Sequence, residues 1–215
     1  MSEIRIVPAR RIQTEFIEKN SRFIANAAPA FTVEQAQAFI EHIQEKFPDA
    51  SHHVPVFLIG HGAATIEHCS DDGEPSGTAG KPALAVLRGS GLGDVAVVIT
   101  RYFGGTKLGT GGLVRAYSDS MRKVLAELPR AKKLATTTLM FVIPYTLFER
   151  AQIIIANYNG ACIEKNFATD VTLSVRLPNE HLPAFKGRMT ALTQGQIEFI
   201  TIETRDNTII PINQK

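Results

Sequence analysis

The residues best placed to do chemistry fall in two clusters. One is glycine-rich: Gly104, Gly105, Gly109, Gly111 and Gly112, interleaved with Arg101, Tyr102, Lys107 and Arg115. The other is acidic: Asp71, Asp72 and Glu74, with Lys81 a little further on. Glycine lets a backbone come close to a ligand. The first N–H groups of a helix have no partner within it and carry the positive end of its dipole. A glycine loop that opens a helix is therefore a natural anion site. On that basis Arg101, Lys107 and Arg115 are expected to contact phosphate, with Lys81 assisting. Gly104, Gly105, Gly109 and Gly111 would shape the backbone, and Tyr102 would stack on a base. The alternative is a tight turn that packs a helix on a sheet.

The familiar nucleotide motifs fail on inspection. Gly104 and Gly109 have Walker A spacing, but Thr110 stands where that motif needs lysine. Gly109-x-Gly111 is followed by Val114 where a dinucleotide fingerprint wants a small residue. Asp71, Asp72 and Glu74 are oxygen ligands of the kind magnesium takes, but without EF-hand spacing. A solvated acidic turn pairing with Lys81 is expected there. His52, His53, His61 and His68, with Cys69, show no zinc-ligand spacing. No catalytic residue, no metal and no cofactor is expected.

Positioning the glycine loop requires a strand before it and a helix after it. Val95 to Thr100 is β-branched and apolar, which reads as a buried strand. Leu113, Tyr117, Met121, Val124, Leu125 and Leu128 recur at helical spacing. Upstream, Ile4 to Val7 and Phe16 to Ile24 look extended, with a turn at Lys19-Asn20-Ser21. Thr32 and Gln35 form a capping-box pattern ahead of a helix that Pro48 ends. Val54 to Ile59 reads as a strand, in which Pro55 suggests an edge or a bulge. Cys69 to Lys81 is dense in turn formers, and a short helix follows from Pro82. Pro129 to Lys133 loses apolar periodicity and is taken as a domain boundary. Beyond it the order is βαββαβ, the ferredoxin-like pattern, with a last strand at Gln196 to Ile202 and a loose tail after it. The expected division is 1–130, 136–205 and a tail at 206–215.

Composition narrows the function classes. The chain has 215 residues, 44% of them hydrophobic, enough for a packed core. No apolar run reaches the ~18 residues that span a bilayer, so no membrane partner is expected. Glu3, Arg5, Arg10 and Arg11 near the start leave no apolar signal region. Two well-separated cysteines point to a reducing, cytoplasmic setting. Formal net charge is only +2, but its sign is segregated. Lys46 is the sole Lys or Arg between Phe31 and Glu74, whereas basic residues dominate from Pro75 to Leu125. Either the basic half docks on a polyanion, or folding pairs the two halves.

Three stretches carry a resemblance. They are Ser21-Arg22-Phe23-Ile24, Ser70 through Pro82, and Arg101-Tyr102-Phe103-Gly104-Gly105 through Leu108-Gly109-Thr110-Gly111-Gly112-Leu113 to Ala116-Tyr117. On these the chain resembles the IMPACT family, in its bacterial branch. The resemblance implies an α+β protein. Its N-terminal domain would be like the second domain of ribosomal protein S5, and its C-terminal domain ferredoxin-like, similar to those of translational elongation factor G. Eukaryotic members regulate translation initiation. A translation-associated protein that binds RNA or the ribosome, or a protein partner in the translation machinery, is therefore expected, leaning away from an enzyme. The alternatives are an enzyme acting on a phosphorylated small molecule through the two loops, and a protein-interaction module.

Overall fold

The computed structural model describes residues 5–212. The chain divides into two compact units, 1–132 with 209–215, and 133–208.

The first unit is built on an antiparallel sheet. Its strands are β2 (Ile12–Glu18), β3 (Ser21–Pro29), β4 (His52–Ile59), β5 (Ile66–Cys69) and β6 (Val95–Tyr102), in the order β2-β3-β6-β4-β5. The central strand β6 is buried from Val95 to Arg101, as its β-branched run implies. Its alternate residues serve two cores. Val95, Val97 and Ile99 face α2 (Gly80–Arg88) and α3 (Gly109–Glu127) through Leu87, Leu113, Tyr117 and Met121. Ala96 and Val98 face α1 (Val33–Lys46) through Phe39 and Ile43. The sheet is thus sandwiched between one helix and two. A short strand, β1 (Arg5–Pro8), lies alongside, its Ile6 carbonyl accepting from Gly93 N–H at 3.0 Å.

Local signals account for the element ends. Thr32 caps α1, its Oγ1 accepting from Gln35 N–H at 3.2 Å. The Gln35 side chain reaches back to Phe31 N–H, one residue beyond the usual capping-box partner. Glu18 pairs with Ser21 across the β2–β3 turn, and Lys19 and Asn20 both take positive φ (44° and 65°). That is the two-residue hairpin turn whose twist matches its strands. Strand β4 is interior, not the edge that Pro55 suggested. Its partner β5 pairs only from Val56 to Ile59, however, and the Pro55 carbonyl accepts from Ser70 N–H. A residue's N–H and C=O point to the same side of a strand, so the missing N–H faces a stretch where the ladder has already ended.

The second unit has the ferredoxin-like βαββαβ order. It comprises β7 (Arg130–Ile143), α4 (Phe148–Asn157), β8 (Ala161–Phe167), β9 (Val171–Pro178), α5 (Leu182–Leu192) and β10 (Ile200–Pro211). The strands lie in the order β10-β7-β9-β8. Leu139, Phe141, Leu173, Val175, Ala151, Ile155, Phe185 and Met189 form its core. Asn159 takes positive φ (54°) after α4, and Gly160 N–H donates back to the Ile155 carbonyl at 2.8 Å.

The expected α+β, two-domain architecture holds, with two corrections. The division between units does fall within the expected stretch 129–133, but the expected loss of regular structure there does not hold: Arg130 starts β7, and the chain passes between units inside that strand. The expected last strand and loose tail also differ. Strand β10 starts at Ile200 and continues to Pro211, where Ile212 N–H donates to the Arg130 carbonyl at 3.0 Å. The missed parts, 130–133 and 203–208, are mostly polar, so periodicity was silent, and backbone pairing supplied the order. The residues 213–215 of the expected tail lie outside the described residues.

Candidate functional site

The two sequence clusters meet in the first unit. The acidic loop, 70–79, joins β5 to α2, and the glycine loop, 103–108, joins β6 to α3. Arg101 sits near the end of β6 and is only 5% exposed. Glu74 is 7% exposed and accepts from Arg101 Nη1 at 2.6 Å. Glu74 Oε1 also accepts from the Tyr117 hydroxyl of α3 at 2.9 Å. Burial, with the Glu74 charge alongside, pushes the Tyr117 phenol well above its usual range. Arg101 Nη2 donates to Ser21 Oγ at 3.3 Å, and the Phe23 and Phe103 rings lie 5.5 and 5.7 Å from its guanidinium carbon. His52 Nε2 approaches Glu74 at 3.9 Å.

This junction is a buried ion pair that ties strand, loop and helix together. Arg101 was expected to face a phosphate. Instead Glu74 has neutralised it inside the fold, where breaking the pair would leave an uncompensated charge. Asp71, expected as a solvated acid beside Lys81, works as a cap. Its carboxylate accepts from Gly77, Ala79 and Gly80 N–H groups at 2.7, 3.1 and 2.8 Å. Burial alone would raise the Asp71 carboxyl, but these donors, with Lys81, hold it below the usual range. Asp72 Oδ2 accepts from His53 N–H at 2.5 Å, and its carbonyl accepts from His52 Nδ1 at 2.7 Å. Each acidic residue is thus occupied by the fold. Among the described residues no group of three or more His, Cys, Asp or Glu stands ready for a metal ion.

The glycine loop divides in the same way. Gly104 donates its N–H to Ser21 Oγ at 3.2 Å. A Cβ there would stand 2.0 Å from the Asn20 carbonyl carbon, so the hairpin tip admits only glycine. Beyond it the loop opens outward. At Gly105, Gly109 and Gly111 a Cβ would meet nothing within 4 Å. Gly109 requires glycine through its φ of +71°, but Gly111 does not have positive φ. Helix α3 begins there with no side chain capping its N–H groups. Lys107 and Arg115 are exposed beside it, as is Lys81 on α2, and none of the three makes an ion pair among the described residues.

Tyr102 is tethered: its hydroxyl donates to Asp49 Oδ1 at 2.8 Å, and the Arg22 guanidinium lies 5.9 Å from its ring. The open aromatic is its neighbour Phe103, half exposed. Sequence reasoning missed Ser21 and Tyr117 as site residues. Their signal was present, since both lie in the stretches that carried the family resemblance.

The segregated charge also resolves. Arg88 pairs with Glu67 and Arg101 with Glu74, so the acidic and basic halves do interleave. Among the described residues Lys81, Lys107 and Arg115 remain outside these ion pairs, and Lys123 bonds only a backbone carbonyl, that of Glu15.

The Impact N-terminal domain matches residues 19–125, and a domain of unknown function, DUF1949, matches residues 141–196. "IMPACT family member YigZ" of Escherichia coli is 35% identical over 92% of this chain and 98% of that protein. "IMPACT family member YvyE" of Bacillus subtilis is 34% identical over 85% of this chain and 83% of its own length. A solved structure described as that of a hypothetical protein superposes with a TM-score of 0.60 at 35% identity, covering 94% of this chain and 99% of that one. The chain belongs to the IMPACT family. Among the described residues no helix is long and apolar enough to cross a membrane.

Proposed function

We propose that the protein is translation-associated and contacts RNA or the ribosome through the rim of the glycine loop. Lys107 and Arg115 would hold phosphates, Lys81 would assist, and Phe103 replaces Tyr102 as the base-stacking residue. Gly105, Gly109 and Gly111 keep the backbone open for close approach. The observation that carries this is Gly111. A helical glycine costs about 1 kcal/mol relative to alanine, yet neither φ nor packing demands glycine there. A ligand approaching the uncapped start of α3 explains it. Family membership supports the translational setting, since the resemblance implies regulation of initiation for eukaryotic members. An enzyme acting on a phosphorylated small molecule is less favoured, because Asp71, Asp72 and Glu74 are engaged in holding the fold.

The test is co-sedimentation with ribosomes over a salt series. Lys107→Ala/Arg115→Ala should weaken binding and flatten its logarithmic salt dependence by about 1.4, at about 0.7 per lost phosphate contact on single strands. Its unfolding free energy should stay within about 0.5 kcal/mol, as for ordinary surface changes. Gly111→Ala should leave stability equal or higher while weakening binding. Full binding by all these variants would refute the proposal.

A further inference from the structure

The second unit has a feature that the glycine-loop rim does not use. Helices α4 and α5 border a groove of about 560 Å³. Arg150, Ile153 and Asn157 line it from α4, and Arg188 and Leu192 from α5, with half-buried Tyr158 beside them. The spacing 150, 153, 157 places one continuous stripe of α4 on the groove, and 188, 192 does the same for α5. Both arginines are exposed, neither makes an ion pair among the described residues, and no acidic side chain lines the groove. By contrast, Arg176 of β9 is already paired with Glu203, at 3.4 Å.

Two guanidinium groups on one groove, with no counter-charge, call for an anion. Arginine presents a planar fork that fits phosphate oxygens two at a time. The rest of the lining is mixed. Half-buried Ile154 and Leu192 give an apolar floor and exposed Ile153 an apolar edge, and Asn157 and Tyr158 supply an amide and a ring, groups that suit the edge and face of a nucleobase. We infer that the α4–α5 groove is a second RNA site, in which Arg150 and Arg188 hold successive phosphates of a single strand. The inference rests on the proposal that the chain binds RNA, and it assigns the C-terminal unit its own share of the contact.

The experiment uses the full chain and a fluorescently labelled uridine 12-mer, read by anisotropy over a salt series. Arg150→Glu/Arg188→Glu is compared with Arg5→Glu/Arg10→Glu, an equal charge change at exposed residues of the first unit. The groove variant should bind about tenfold more weakly than this control at low salt. Its logarithmic salt dependence should be flatter by about 1.4, the equivalent of two phosphates. Arg150→Lys/Arg188→Lys should recover part of the affinity, and circular dichroism should match wild type throughout. Equal binding by the groove variant and the control would overturn the inference and leave the glycine-loop proposal standing. No binding of the 12-mer by wild type, together with no ribosome co-sedimentation, would overturn both. Displacement of the 12-mer by poly-glutamate, through the same arginines, would overturn RNA as the occupant and assign the groove to an acidic protein segment. Displacement by inorganic phosphate at equal concentration would overturn it in favour of a free phosphorylated small molecule.

Discussion

Arg101 and Lys107 belong to one signature stretch and have opposite fates. Arg101 is buried, ion-paired and flanked by rings, whereas Lys107 is exposed and makes no ion pair among the described residues. Residue type would rank arginine first for phosphate, since its fork is the better match. Environment reverses the ranking. A guanidinium that already satisfies a buried carboxylate cannot be given to a ligand without exposing the carboxylate's charge to an apolar interior. The same division separates Gly104, which the hairpin tip requires, from Gly111, which no neighbour requires. The motif is therefore two devices in one run: a buried clamp that fixes the loop and an open rim that the clamp presents.

The sharpest way to break this comparison is to remove the clamp. Glu74→Gln should destabilise the first unit by roughly 3–5 kcal/mol, the cost of stranding a buried charge. Urea unfolding would measure it. Adding Arg101→Met should restore part of the loss, since an apolar pair of similar volume is often tolerated. A loss below about 1 kcal/mol would mean that Arg101 finds solvent easily and could serve a ligand after all.

Gly104→Ala comes next, at about 1–3 kcal/mol, from overpacking against the Asn20 backbone. Gly111→Ala in the same assay should cost nothing. If the two alanines behaved alike, the distinction between clamp and rim would fail.

The smallest effect concerns acid. The Asp71 carboxyl titrates below the unfolded Asp value of about 3.9. The unfolded chain therefore takes up its proton first as pH falls. The contribution of Asp71 is fully present above that unfolded value and is lost as pH drops through the lower folded value. Asp71→Asn should be less stable than wild type at pH 7, and the gap should narrow below about pH 4. Urea midpoints across that range would check it, and a gap independent of pH would show that the cap does not depend on charge.

Much of this was legible beforehand. The β-branched run at Val95 announced the central strand, Thr32 announced the start of α1, and the alternation around Asp170 announced the second hairpin. The polar start of β7 at Arg130 and the continuation of β10 past Ile202 were not legible, because their order comes from backbone pairing that side-chain periodicity does not record. The roles of Asp71 and Glu74 were hidden for another reason. A run of turn formers says that a loop exists, but not which way its carboxylates point.

The sequence by itself determined most of the elements, though not β5 or the polar parts of β7 and β10, together with the ferredoxin-like order of the second unit and the family. These depend on local propensity, periodicity and motifs, which are properties of neighbouring residues. Tertiary structure alone decided which charges remain available. Glu74 reaches Arg101 across 27 residues of chain, Ser21 reaches it across 80, and Tyr117 closes the cluster from a third element. Desolvation acts on whatever the folded chain encloses, so a charge becomes structural or functional only once its surroundings exist.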